Sequence, residues 1–226
     1  MGDARQCVGA VVEHPVAERS EIELAKAEQR AVTGTPVKDT CLAILAGRGT
    51  NEFLDEWSGR FTRKWMMRIA FSDHLASMRN HAFKWFRDEC TEEWLIMVDD
   101  DMVPLPETEA LLEAKGDIVG ARAAARSGHE SHQGSLSMGC VKVHRRVVEG
   151  IAPPWFEFAY TADGAEVASC ECLYFWRKAL DAGFTIVKSG VIGHRFPVTV
   201  VPGEQGPTFL LDDELRVRRR STAVSP

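Results

Sequence analysis

Three consecutive carboxylates, Asp99, Asp100 and Asp101, stand at the end of the apolar run Trp94-Leu95-Ile96-Met97-Val98. Adjacent acids repel one another unless a cation or hydrogen bonds compensate, and a divalent metal ion is the simplest compensation. On an extended chain Asp99 and Asp101 point one way and Asp100 the other. One face then presents an Asp-x-Asp pair, whereas a solvated acidic turn is the plain alternative. Arg79 falls inside the apolar stripe Leu75, Met78, Ala82, Phe83 and Phe86, with Asn80 beside it. A guanidinium on a buried face needs an anion, either a structural carboxylate or a phosphate. Glu171 lies in the first turn of a late helix, where it either complements the helix dipole or receives a proton from an acceptor hydroxyl. Gly47-Arg48-Gly49 forms a turn where backbone can approach a nucleotide. His194 follows Gly193 as a lone histidine, a type that is usually structural.

The elements that must position these residues follow from periodicity. Residues 92–98 are too short for most helices and are followed by Pro104 and Pro106, so they read as a strand buried on both faces of a parallel sheet. Open α/β sheets bind ligands at the carboxyl ends of such strands. Residues 40–46 are a first strand, 51–59 a short helix, 65–70 a second strand and 72–87 a helix. After the acids, 107–115 reads as a helix ended by Gly116, 117–121 as a strand, and 121–137 as a loop over the site containing Arg122, Arg126, His129 and His132. Residues 138–144 lead as a strand into a helix at 145–150. Trp155 and Phe156 then stack on a ligand or anchor the core. A helix from about Ser169 to Gly183 and strands at 184–188 and 191–195 complete the pattern, which implies a parallel α/β layer sandwich.

The 226 residues, 45% hydrophobic and 27% charged, suit one sizeable core. A net charge of -6 argues against a broad nucleic-acid footprint. The basic patch Arg216, Arg218, Arg219 and Arg220 reads as a solvated tail. No apolar stretch approaches a membrane span and no signal pattern opens the chain, so a cytoplasmic location is expected. The six cysteines are then expected as free thiols. Cys170 and Cys172 lack a second closely spaced pair that would complete a zinc site, and His129-Glu130-Ser131-His132 is one residue too short for a helical zinc motif. Residues 1–36 look like an appendage, with Ser20 and Glu23 capping one helix that either packs loosely or mediates homo-oligomerisation. A single domain is expected over 37–226, trailing into a tail from about residue 201.

The order of these features resembles glycosyltransferase family 2-like proteins of GT-A fold, especially small phage-type members. The set comprises the Arg79-Asn80 helix, the Asp-x-Asp strand end, Met138-Gly139-Cys140, Pro154-Trp155-Phe156, the Cys-Glu-Cys-Leu-Tyr-Phe-Trp helix, Ala182-Gly183-Phe184 and Gly193-His194. The resemblance covers roughly residues 38–200. It implies a Rossmann-like, mostly parallel central sheet flanked by helices, and transfer of a sugar from a nucleoside-diphosphate sugar to an acceptor hydroxyl of unknown identity. It assigns Asp99, with Asp100, to the nucleotide ribose and Asp101 to a Mn²⁺ or Mg²⁺ on the diphosphate. It also implies that Arg79, Asn80 and Gly47 lie beside the nucleotide, that His194 is a metal or diphosphate ligand, and that Glu171 is the base. Such a cation stabilises the departing diphosphate as a Lewis acid, and an imidazole ligand tilts the choice toward Mn²⁺. Glu171-Cys172 stands where the family usually has Glu-Asp, so Asp163 and Glu166 are alternative bases. A nucleotide-sugar-binding module without efficient transfer is a second reading. A metal-dependent phosphodiesterase or nucleotidyltransferase ranks last, because no second acidic cluster completes a two-metal site.

Overall fold

The computed structural model describes residues 36–47, 50–68, 75–123, 138–165, 167–195, 199–203 and 206–210. The chain divides into two compact units, Met1–Thr33 and Gly34–Pro226, and every described residue lies in the second. The expected helix near residues 20–32, most of the loop at 121–137, Arg48, Gly49, Glu166 and the basic patch at 216–220 lie outside the described residues.

Strands β1 (Val37–Ala46), β2 (Phe61–Arg68) and β3 (Trp94–Asp99) are followed by β4 (Met102–Pro104), β5 (Ile118–Ala123) and β6 (Cys140–His144). Later come β7 (Ala159–Tyr160), β8 (Val167–Ser169), β9 (Ile186–Arg195), β10 (Thr199–Gly203) and β11 (Gly206–Leu210). The helices are α1 (Glu52–Ser58), α2 (Leu75–Glu89), α3 (Glu109–Glu113), α4 (Arg145–Gly150) and α5 (Glu171–Asp181). The main sheet has the order β11-β10-β9-β5-β6-β3-β1-β2, with β4 pairing on β9. Strands β1, β2, β3, β5 and β9 run in one direction, and β6 runs against them between β3 and β5. This is the α/β, Rossmann-like architecture of GT-A type expected from the sequence.

Alternation along the central strands divides the core. Cys41, Ala43 and Leu45 of β1, with Leu95 and Met97 of β3, pack against Met78, Phe83 and Phe86 of α2 and Phe175 and Trp176 of α5. Leu42, Ile44, Ile96 and Val98 face the other way, onto Leu54 and Trp57 of α1 and Leu111 of α3. A strand buried on both faces needs a continuous apolar run, and both strands carry one.

The structure differs from the sequence reading in several places. The helix expected at 107–115 is a 3₁₀ turn at Pro106–Thr108 followed by the short α3. The two strands expected at 184–188 and 191–195 are one strand, β9, carrying a bulge. Gly120 pairs with Lys188 and Arg122 with Val191, so Ser189 and Gly190 oppose a single residue of β5. Gly190 has φ +79°, and a Cβ there would come 2.9 Å from the Glu107 carbonyl oxygen. Within the stretch expected to be a tail, β10 and β11 add antiparallel strands to the sheet. Among the described residues no helix is long and apolar enough to cross a membrane.

Candidate functional site

The acid triplet lies where β3 ends. Leu45 pairs with Asp99 at the carboxyl end of β1, and the Asp99 N–H donates to the Gly139 carbonyl at 2.9 Å. Asp100 and Asp101 form a turn into β4. Strand alternation therefore stops at Asp99, and the turn rather than the pleat sets where Asp101 goes. That turn is tied from two sides. The Arg195 N–H donates to the Asp101 carbonyl at 2.8 Å, and β4 pairs with β9 so that Met102 faces His194. This brings His194 Nε2 to 3.0 Å from Asp101 Oδ2. The Asp101 side chain is 36% exposed and His194 14%, so the pair opens to solvent.

Asn51 holds the turn from the other side. As N-cap of α1 its side-chain oxygen accepts from the Leu54 N–H at 2.9 Å. Its amide nitrogen donates to the carbonyls of Asp100 at 3.2 Å and Met102 at 2.7 Å. A helix start at this residue was legible, since Asn is a favoured cap. Its second task, across 49 to 51 residues of chain, left no local sign.

Arg79 is buried and forks between two carboxylates. One terminal nitrogen donates to Glu171, itself buried, and the other lies 3.3 Å from both oxygens of Asp99. Of the two anions considered for this arginine, the structure supplies the carboxylate. Burial raises the Asp99 carboxyl above its ordinary range, Arg79 draws it back, and Asp101 and Asp100 push it further up. Glu171 is in the first turn of α5, as expected. Its carboxylate, however, is engaged by the Arg79 guanidinium in a charge-assisted bond.

Asn80, expected beside the nucleotide, has its amide committed elsewhere. The nitrogen donates to the carbonyls of Ala76 at 2.9 Å and Phe156 at 2.7 Å, while the oxygen accepts from the N–H groups of Trp155 at 2.8 Å and Phe156 at 3.2 Å. The residue fastens the Trp155-Phe156 loop to α2. Trp155 and Phe156 are buried and contact Phe83, so they anchor the core. An open groove of about 880 Å³ beside this loop is lined by Asn80, His81 and Lys84 among others and contains none of Asp99, Asp101, Glu171 or His194. Gly47 is exposed at the end of β1. Asp163 is exposed, and its carboxylate accepts from the Thr161 hydroxyl at 2.5 Å and the Ala165 N–H at 3.1 Å.

Cys170 and Cys172, expected as free thiols, form a disulfide that brackets Glu171. Cys170 is the extended N-cap of α5, and its Cα lies 5.4 Å from that of Cys172, within the range a disulfide spans. Cys41, Cys90 and Cys140 are buried free thiols.

The fold is similar to that of A197 from STIV. That crystal structure superposes with a TM-score of 0.55 at 16% identity, covering 78% of this chain and 96% of that one. At such identity the similarity concerns the fold. Looser superpositions reach a proposed nucleotide-diphospho-sugar transferase from Desulfovibrio desulfuricans G20, with TM-score 0.36, 9% identity and coverage of 66% and 79%. Another reaches a glycosyltransferase involved in the glycosylation of the major capsid of PBCV-1, with TM-score 0.31, 15% identity and coverage of 51% and 68%. Neither of these two is close enough to bear on the site. No protein-family model and no curated protein matches the chain.

Proposed function

We propose that this protein is a metal-dependent glycosyltransferase that moves a sugar from a nucleoside-diphosphate sugar to an acceptor hydroxyl. The observation that carries the reading is the Asp101–His194 pair at the carboxyl end of the central strands. Two ligands at adjacent corners of an octahedral cation, with bonds of about 2.1 Å, stand about 3 Å apart. Asp101 Oδ2 and His194 Nε2 are separated by 3.0 Å. An oxygen and an imidazole nitrogen suit Mn²⁺, and Mg²⁺ less well. The residues present therefore fit a hard or borderline divalent cation held by Asp101 and His194. Such a cation, when bound, neutralises charge on a departing nucleoside diphosphate.

The chain's own groups have separable tasks. Asn51 and the β4–β9 pairing fix the turn, so Asp101 and His194 are placed before any ligand arrives. Asp99 presents a carboxyl whose raised proton affinity suits a hydrogen bond to a ribose hydroxyl. Arg79 locks Asp99 and Glu171 in fixed positions and supplies positive charge behind the acids.

The engagement of Glu171 by Arg79 favours a second reading, a module that binds the nucleotide sugar without efficient transfer. A thermal-shift panel of nucleoside diphosphates and nucleotide sugars, with and without Mn²⁺, tests the proposal, because a ligand selective for the native state stabilises it by mass action. Metal-dependent stabilisation that disappears in Asp101→Ala and shrinks in His194→Ala is the expected result. Unchanged metal-dependent binding in Asp101→Ala refutes the assignment. Metal-dependent hydrolysis of the donor then separates the two readings: turnover supports transfer, and tight binding without turnover supports the binding module.

A further inference from the structure

At the opposite end of the sheet from the acid triplet, two thiols and a carboxylate converge. Cys41 lies midway along β1, opposite Leu95 at the start of β3, Cys90 directly follows α2, and Glu92 directly precedes the Glu93-Trp94 entry to β3. One ligand atom from each of the three residues lies within 4.8 Å of the others. Cys41 pairs with Leu95 and Leu45 with Asp99, so four residues of strand, about 13 Å, separate this cluster from the acidic turn. Cys41 is fully buried and Cys90 nearly so, while the Glu92 side chain is 18% exposed and gives access from solvent.

We propose that Cys41, Cys90 and Glu92 form a binding site for one zinc-like divalent cation. Tetrahedral zinc with Zn–S bonds of about 2.3 Å and Zn–O bonds of about 2.1 Å needs ligand atoms about 3.5–3.8 Å apart, so small side-chain movements close the cluster onto a metal. The carboxylate is held in place beside the thiols. Glu92 Oε2 accepts from the Thr91 N–H at 2.9 Å, and Oε1 lies 3.1 Å from Arg63 Nε. Binding releases both thiol protons to solvent, forms two metal–sulfur bonds and one metal–oxygen bond, and leaves the fourth position to water. Two thiolates and one carboxylate on a dication carry a net charge of minus one, which the Arg63 guanidinium balances. Burial holds both thiols above their ordinary range. Without a metal they stay protonated, so the pair is poorly suited to nucleophilic chemistry.

The test uses the full chain carrying Cys170→Ser and Cys172→Ser, reduced with a phosphine, so that the other thiol pair cannot contribute. Titration with Co²⁺ should give one equivalent of a thiolate-to-cobalt charge-transfer band with tetrahedral visible bands, and Zn²⁺ should displace it. Adding Cys90→Ser should abolish the charge-transfer signature of a two-thiolate site. Arg63→Gln, on a partly exposed side chain, should weaken Co²⁺ binding by about 10-fold or more while the band persists. Absence of the band at saturating Co²⁺, or a band unchanged by Cys90→Ser, overturns the proposal. Circular dichroism checks that Cys90→Ser folds. If it does not, Glu92→Gln takes its place, and cobalt affinity and spectrum identical to those of the parent overturn the proposal equally.

Discussion

Arg79→Met removes the charge that Glu171 and Asp99 share while keeping much of the stem's apolar bulk. Arg79 and Glu171 expose only 3% and 5% of their side chains, and Asp99 exposes 23%. Deleting one partner of a buried pair leaves an uncompensated charge and costs about 3–5 kcal/mol. The Glu171 contact dominates that figure, because solvent screens the more exposed Asp99. At about 2–4 °C per kcal/mol for a chain of this size, the melting temperature should fall by roughly 6–20 °C. Replacing both partners, as Arg79→Met with Glu171→Leu, should recover at least half of the loss, since two apolar groups leave no buried charge. Urea unfolding of the parent, both single variants and the double variant gives the coupling energy directly. A loss below about 1 kcal/mol in Arg79→Met, or a double variant that equals the sum of the singles within about 0.5 kcal/mol, would refute the claim that this arginine is held structurally by Glu171.

Asp117 gives a pH test. Burial works against its charge, but the Thr185 N–H and hydroxyl, at 2.9 and 2.8 Å, together with Arg146 hold its carboxyl below the ordinary 3.8. A depressed folded value means that its contribution is present above the ordinary value and is lost as pH falls through the folded one. Asp117→Asn should therefore lower stability at neutral pH by about 1–3 kcal/mol, and the gap to the parent should narrow below about pH 4. Parallel curves across that window would exclude the account. For the acidic turn, Asn51→Asp keeps the α1 cap but sets a carboxylate against the Asp100 and Met102 carbonyls. It should lower stability by about 1–3 kcal/mol and reduce Mn²⁺-dependent stabilisation by nucleoside diphosphates, both read by thermal shift.

The central strands were legible because their signal is local. In β1 and β3 every residue from Cys41 to Ala46 and from Leu95 to Val98 is buried, and an apolar run ending in acids can be read without knowing its neighbours. Strand β4 was not legible. Met102-Val103-Pro104 is three residues long and contains a proline, and it exists because β9 supplies the partner. The bulge at Gly190 disguised β9 as two pieces. Site chemistry divides in the same way. The sequence shows that Arg79 sits on an apolar face and that Glu171 starts a helix, but not that two residues 92 apart satisfy each other. The Cys41, Cys90 and Glu92 cluster was missed for the same reason, since only the Cys90-x-Glu92 spacing is visible in the chain.

The β4–β9 pairing also sets a timetable. Asp101 and His194 are 93 residues apart, an interval that a ribosome adding about 5–20 residues per second covers in roughly 5–20 s. Throughout that interval β1, β3 and the acid triplet exist without the strand that supplies the histidine. The N-terminal part of the sheet meanwhile presents β5 with no β9 beside it, an open edge of the kind that recruits other chains. A chain stalled before Ile186 would carry both deficits at once, so synthesis through β9 is the step at which this protein both covers the β5 edge and gains its His194–Asp101 pair.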